Sequence, residues 1–204
     1  MVDLIRFVEQ SCLHNLIPGL VAMASMTQSF GIATDINVAR FYWNIFEEFQ
    51  AAPISNLSYV AGETLAGMTR ALLGVAVILF LSLPFGVVLQ YGPLFWLAVL
   101  LNCFVFASLA VAMAMLVKSH ADQSLLTSFI ITPMAFLGGT FFPVEKLPVW
   151  SQTLLSFLPL THASHAIRAT SLGQPAEGFD YLVLLIVGLV FFWLALQSVN
   201  RARD

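Results

Sequence analysis

Two histidines spaced three apart, His162 and His165 in "THASH", are the side chains best placed by type to do chemistry. On a helix that spacing puts both imidazoles on one face, where they could share a metal ion. A metal site needs further ligands, and the nearby carboxylates, Glu145 and Glu177, stand in no zincin-like arrangement. Histidines that cap a helix or sit at a membrane interface are the simpler reading. A serine nucleophile would want a Gly-x-Ser-x-Gly elbow, and a nucleotide would want a Gly-x-x-x-x-Gly-Lys-Ser/Thr loop around its phosphates. The sequence contains neither. Cys12 and Cys103 show no zinc spacing, and the span arrangement below separates them. No catalytic residue and no metal ligand is assigned.

The remaining cluster of reactive types is acidic. It lies in "VARFYWNIFEEFQAAP", residues 38–53. On a 3.6-residue wheel, Val38, Phe41, Tyr42, Ile45, Phe46, Phe49 and Ala52 share one side. Arg40, Asn44, Glu47, Glu48 and Gln50 fall opposite, with Trp43 at the border. The pattern predicts an amphipathic helix over 38–52, about 22 Å long at 1.5 Å per residue, stopped by Pro53. Helices that rest on lipid usually carry Lys and Arg on the polar face. This one carries one Arg against two Glu, which suits a positively charged protein partner better than headgroups.

The elements around that helix follow from composition. Of 204 residues, 59% are hydrophobic and only 9% charged, against about 25% charged in a soluble domain. Mean hydropathy is +0.90. Such a chain has too little polar surface for water and suits lipid. The net charge of −3, with no clustered basic face, argues against nucleic acid. Spans need about 20 mainly apolar residues. Charge-free runs predict five, at about 17–34, 71–89, 94–117, 123–143 and 181–200, the long run 71–117 being split by "LQYGP".

Placing the tail "NRARD" in the cytoplasm puts Arg40, Arg70, Lys118, Arg201 and Arg203 inside, and Arg6, Lys146 and Arg168 outside. Cations favour the cytoplasmic side. This arrangement leaves the N-terminus outside, and the opening "MVDLIRFVEQSCLHN" is no signal peptide. The expectation is that a first span is missing from the chain. Ala107, Ala110 and Ala114 form a small-residue ridge, and Gly67 and Gly74 form notches, for close helix packing.

Residues 144–172 are intermediate in polarity and broken by Pro148 and Pro159. They read as two short helices in or dipping into the outer leaflet, tolerated at depth only if shielded by protein or facing a watery cavity. Pro133 and Gly138-Gly139, just upstream, should kink or loosen the fourth span, so this region reads as a gate or as a plain outer lid. Ion-driven transport normally leaves ionisable residues inside spans, and none lies deep in the runs above. Glu63 and Arg70 read as a membrane boundary. A motor supplied by another chain fits both this and the missing phosphate loop.

Three stretches resemble the membrane subunit of type-2 ABC exporters, the ABC-2 permease family, in its nodulation-factor and daunorubicin-exporter branch. "LIPGLVAMASM" resembles the start of that family's second span. "NIFEEFQAAPIS" is similar to its cytoplasmic coupling segment, and "FLGGTFFPVEKLPVW…LPLTHASHAIR" to its signature between the fifth and sixth spans. The resemblance runs from about residue 16 to the C-terminus. It implies an all-α polytopic membrane protein, here a single ABC-2 transmembrane domain over 1–204. The five spans then read as six less the first, which departs from the family at its elbow helix and first span.

The resemblance further implies an export permease, not itself an enzyme. It would reside in the cell (inner) membrane with a cytoplasmic C-terminus, pair with a second permease copy, and contact lipid. A separate ATP-binding subunit would bind ATP and Mg, leaving no cofactor in this chain. Arg40, Asn44, Glu47 and Glu48 are expected to meet that ATPase, and Phe41, Phe46 and Phe49 to couple the helix to the spans above. Gly138, Gly139, Pro143, Pro148, Pro159 and Arg168 are the candidate outer gate. The alternatives are a non-transporting assembly subunit and an ion-coupled carrier.

Overall fold

Helix ends are set by a few residues. The Ser55 and Ser119 hydroxyls accept hydrogen bonds from the backbone N–H groups of Ser58 and Asp122, at 3.1 and 3.2 Å. Each satisfies a donor that has no partner within its own helix. Pro93 and Pro159 each open a helix, where proline's missing N–H is not needed.

The computed structural model describes residues 2–43, 45, 48, 52–85, 89–117, 119–138 and 155–203, with side chains left aside at 2–15, 85, 202 and 203. In chain order the helices are α1 (Val2–Phe30), α2 (Ile32–Phe41), α3 (Asn56–Ser82), α4 (Pro93–Leu116) and α5 (His120–Leu126). A π turn (Thr127–Ile131) leads into α6 (Thr132–Leu137), followed by α7 (Pro159–Ser171) and α8 (Gly178–Arg203). No strand occurs among the described residues.

α4 is the axis of the bundle. It is apolar on every side, the pattern of a helix buried all round, and α1, α2, α3, α7 and α8 all pack against it. Phe95, Val99, Phe106 and Val111 along it are fully or almost fully buried. By contrast α3 exposes Leu65, Leu73, Val77 and Phe80, and α8 exposes Leu182, Leu185, Leu189 and Trp193. Rows of exposed large apolar side chains suit a hydrocarbon solvent rather than water.

Small residues allow the helices to meet. Ala107, Ala110 and Ala114 are completely buried. A Cβ added at Gly67 would lie 3.1 Å from the Ala107 Cβ and 3.1 Å from the Ser29 carbonyl oxygen. Only glycine therefore fits where α1, α3 and α4 converge. Asn102 pins the same interface, its Nδ2 donating to the Ala22 carbonyl at 3.1 Å and to Ser25 Oγ at 2.7 Å.

Among the described residues four helices are long and apolar enough to cross a membrane: Leu16–Phe41, Asn56–Ser82, Pro93–Leu116 and Gly178–Arg201. The described part of the expected run 123–143 is helical without a break from His120 to Leu137, through the π turn; residues 139–143 lie outside the described set. Two helices overrun the charge-free runs that marked them. Leu16–Phe41 continues past Asp35, and Asn56–Ser82 begins well before residue 71. The reason is that Asp35 and Arg70 pair with each other, Nη1 to Oδ2 at 2.5 Å, so neither charge has to end its helix. Arg70 thus takes Asp35 as its partner, while Glu63 hydrogen-bonds Tyr59 one turn away.

Candidate functional site

At one end of the bundle α2 is fastened to three neighbours within six residues. Asp35 pairs with Arg70 of α3. Buried Asn37 donates through Nδ2 to Gln123 Oε1 of α5 at 3.2 Å. Arg40 donates through Nη1 to the Ala114 carbonyl of α4 at 2.7 Å. That carbonyl lies in the last turn of α4, where helix carbonyls lack intrahelical donors and a cation is favoured. The Arg40 guanidinium carbon also sits 5.1 Å from the centre of the Phe41 ring. Beyond it opens a cleft of about 430 Å³, bordered by Phe41, Met115, Leu116, Ser198 and Arg201.

The predicted amphipathic helix begins differently from its sequence pattern. Its first residues, up to Phe41, close α2, and Tyr42 and Trp43 form a turn and a bend with two-thirds of their surface exposed (68% and 67%). Tyr42 meets His120 edge-on at 6.3 Å. Ile45 and Glu48 are helical, Ile45 half-buried and Glu48 exposed. Asn44, Phe46, Glu47 and Phe49 lie outside the described residues. Arg40 and Phe41 are therefore brought together at the rim of the cleft, and Arg40 points into the bundle rather than away from it.

The opposite end carries the expected outer segment. Gly138 follows α6, and its carbonyl accepts a 2.7 Å hydrogen bond from buried Ser164 Oγ of α7. A Cβ there would fall 2.5 Å from Leu160 Cδ2, so Gly138 lets α6 and α7 touch. Pro159 opens α7 and borders an apolar cavity of about 240 Å³, together with Phe30, Leu109, Met134 and Phe191. Arg168 lies in the last turn of α7. Gly139, Pro143 and Pro148 lie outside the described residues.

Both histidines of "THASH" turn toward one carboxylate that the sequence pattern did not single out. Asp180, in the first turn of α8, is only 4% exposed. Its Oδ1 lies 2.7 Å from His162 Nδ1, and its Oδ2 lies 2.6 Å from His165 Nδ1. His162 Nε2 lies 2.9 Å from the Ser156 carbonyl. Asp180 lies outside the charge-free run at 181–200, so a search for ionisable groups inside the runs passed over it. Its signal was there: a carboxylate heading the helix that follows a histidine pair. Asn37 and Gln123 were missed because one hydrogen bond between distant polar residues leaves no periodicity.

The model of the family described as "ABC-2 type transporter" matches residues 4–172. The inner membrane transport permease YadH of Escherichia coli (strain K12) is 27% identical over 199 residues, covering 95% of this chain and 77% of that protein. Nodulation protein J of Rhizobium meliloti (strain 1021) is 32% identical over 187 residues, covering 90% and 71%. Its counterpart in Rhizobium leguminosarum bv. viciae is 36% identical over 120 residues, covering 55% and 46%. No solved structure matches the chain.

Proposed function

The chain belongs to the ABC-2 type transporter family, and on that premise we propose that a separate ATP-binding subunit drives it from the Arg40 end. The chain itself is a membrane permease subunit of an ATP-binding cassette exporter. The observation that carries the coupling reading is the triple fastening of α2. A force applied to residues 41–53 reaches α3 through Asp35–Arg70, α5 through Asn37–Gln123 and α4 through Arg40–Ala114. A segment tied at three points moves its neighbours instead of sliding past them.

In this reading Asn44, Glu47 and Glu48 face the ATP-binding subunit and supply negative charge to a basic surface on it. Arg40 is spoken for by Ala114 and acts as a link into α4. Phe41, Phe46 and Phe49 seat the segment against the spans. The Arg40 end faces the cytoplasm, in keeping with the cation bias at Arg40, Lys118, Arg201 and Arg203. The membrane is the cell (inner) membrane. A second copy completes the translocation path, and the contact between Gly138 and α7, with Pro159 and Arg168, belongs to the outer gate. ATP and Mg belong to the partner subunit.

Co-expression with the ATP-binding subunit of the same system tests the assignment. Glu47→Lys with Glu48→Lys abolishes co-purification while leaving the permease folded. Arg40→Met retains co-purification but lowers the stimulation of ATP hydrolysis by the permease. Undiminished co-purification of the double Lys variant overturns the coupling assignment.

A further inference from the structure

The cluster at the opposite end from α2 has a proton inventory that its geometry fixes. A backbone carbonyl only accepts hydrogen bonds, so His162 Nε2, 2.9 Å from the Ser156 oxygen, carries a hydrogen. An ionised carboxylate also only accepts, so Nδ1, 2.7 Å from Asp180 Oδ1, carries one as well. Both contacts together require an imidazolium. Shifting the Nδ1 proton onto Asp180 keeps the same count, but imidazole is the stronger base and holds the charge. His165 needs only one hydrogen, on Nδ1, to reach Asp180 Oδ2. Neutral His165 suffices.

Ser156 precedes α7, His162 and His165 lie on it, and Asp180 begins α8. The protonated ring therefore joins three pieces of chain that no shared backbone hydrogen bonding holds at this point. We propose that His162 and Asp180 form a proton-binding site that clasps the segment at Ser156 and helix α7 to α8 while the proton is bound. On its loss the neutral ring donates from one nitrogen only. The charge-assisted bond to Asp180 is the stronger of the two, so the Ser156 carbonyl loses its donor and that segment is released.

The surroundings contain little else that titrates. On α7 there are His165 and, further along, Arg168. On α8 there is Tyr181, whose hydroxyl donates away to the Leu94 carbonyl at 3.1 Å. Glu177, just before α8, is exposed. α4 contributes only Cys103, and the described side chains of α1, from Leu16 to Phe30, contain no ionisable group. The Phe179 ring closes on His162 edge-on at 5.9 Å.

The direction of the response follows. Asp180 raises the His162 pKa above the ordinary imidazole value, against an opposing push from burial. A raised folded value means the clasp is complete below the ordinary value of about 6.5 and comes apart as pH climbs through the raised one. That this end meets the external medium rests on the orientation proposed above; the proton site does not.

Two measurements on the full chain in lipid nanodiscs test the proposal. Nitrogen-15 imidazole shifts, assigned with His162→Gln, should show His162 doubly protonated at pH 7 and titrating above about 6.5. Asp180→Asn should bring that titration down. Spin labels at Phe157→Cys and Phe179→Cys, in a Cys12→Ser and Cys103→Ala background, should give one short distance at low pH. A longer, broader distribution should replace it at high pH, and His162→Gln should lack the transition. A neutral His162 at pH 7 overturns the proposal, as does a label distance unchanged from pH 6 to 9. Should Asp180→Asn fail to fold, the unsubstituted chain and His162→Gln still decide. A protein that exports nothing, or sits reversed, would leave both readouts as described, so the export reading and the proton site fail separately.

Discussion

Replacing Gly138 by alanine pits two effects of opposite sign against each other. Its backbone, at φ −71° and ψ 26°, lies in a region open to any residue. On backbone grounds alone, Ala would stabilise by about 0.4–1 kcal/mol by narrowing the unfolded ensemble. The packing says otherwise. The new Cβ would sit 2.5 Å from Leu160 Cδ2, 2.7 Å from Leu160 Cγ and 2.9 Å from the Met134 carbonyl oxygen. Leu160 is fully buried, so it has no free space into which to swing. Forcing a methyl into a filled core costs about 1–3 kcal/mol, and the net expectation is a loss of about 1–2 kcal/mol. At about 2–4 °C per kcal/mol for a chain of this length, the unfolding midpoint in micelles should drop by a few degrees. The same substitution in a Leu160→Ala background should cost less, because the clashing atoms are gone. A Gly138→Ala protein as stable as its parent, or an equal cost with and without Leu160, refutes the close-contact argument.

Other outcomes follow from the same structure. Arg40→Met leaves the Ala114 carbonyl without its charged donor and should destabilise the bundle by about 1.5–3 kcal/mol; Arg40→Lys, a compact charge without the fork, should restore only part of this, as read by thermal unfolding in micelles. Arg70→Ala should cost no more than about 1 kcal/mol, since its pairing with Asp35 is half-exposed, and high salt should shrink that difference. The unfolding midpoint of the intact chain should decline as pH rises through the raised His162 value and should lose that component in His162→Gln. A midpoint that climbs over that range would contradict the assigned proton. Asn102→Ala should weaken the contact between α1 and α4 by about 0.6–2 kcal/mol, measured in the same assay.

The spans were legible because apolar length is a one-dimensional property. Pro93 after Gly92 marked the start of α4, and the alanines at 107, 110 and 114 announced its packed face before any neighbour was known. Charge was a poorer marker of where helices end. Arg70 and Asp35 each looked like a boundary, yet lie 35 residues apart in sequence and neutralise one another inside longer helices, a pairing no window can see. The wheel over 38–52 sorted its residues by polarity, but that pattern cannot distinguish a new helix from the last turn of the preceding one. Val38 to Phe41 belong to α2, and Arg40 is drawn inward by an unpaired carbonyl at the end of α4. The histidine pair was visible as a pair; its partner Asp180, brought in by the approach of α7 and α8, was not.

The π turn at Thr127–Ile131 gives the helix it interrupts one surplus residue of chain. Rewinding that turn to ordinary pitch would rotate everything beyond it by about 100° and shift it by about 1.5 Å, with no other hydrogen bond in the helix broken. Thr132 holds the slack in place by donating its hydroxyl to the Thr127 carbonyl at 3.2 Å. The helix from His120 to Leu137 thus contains a ratchet tooth, able to turn Phe136 to a new bearing while Gln123 stays anchored to α2.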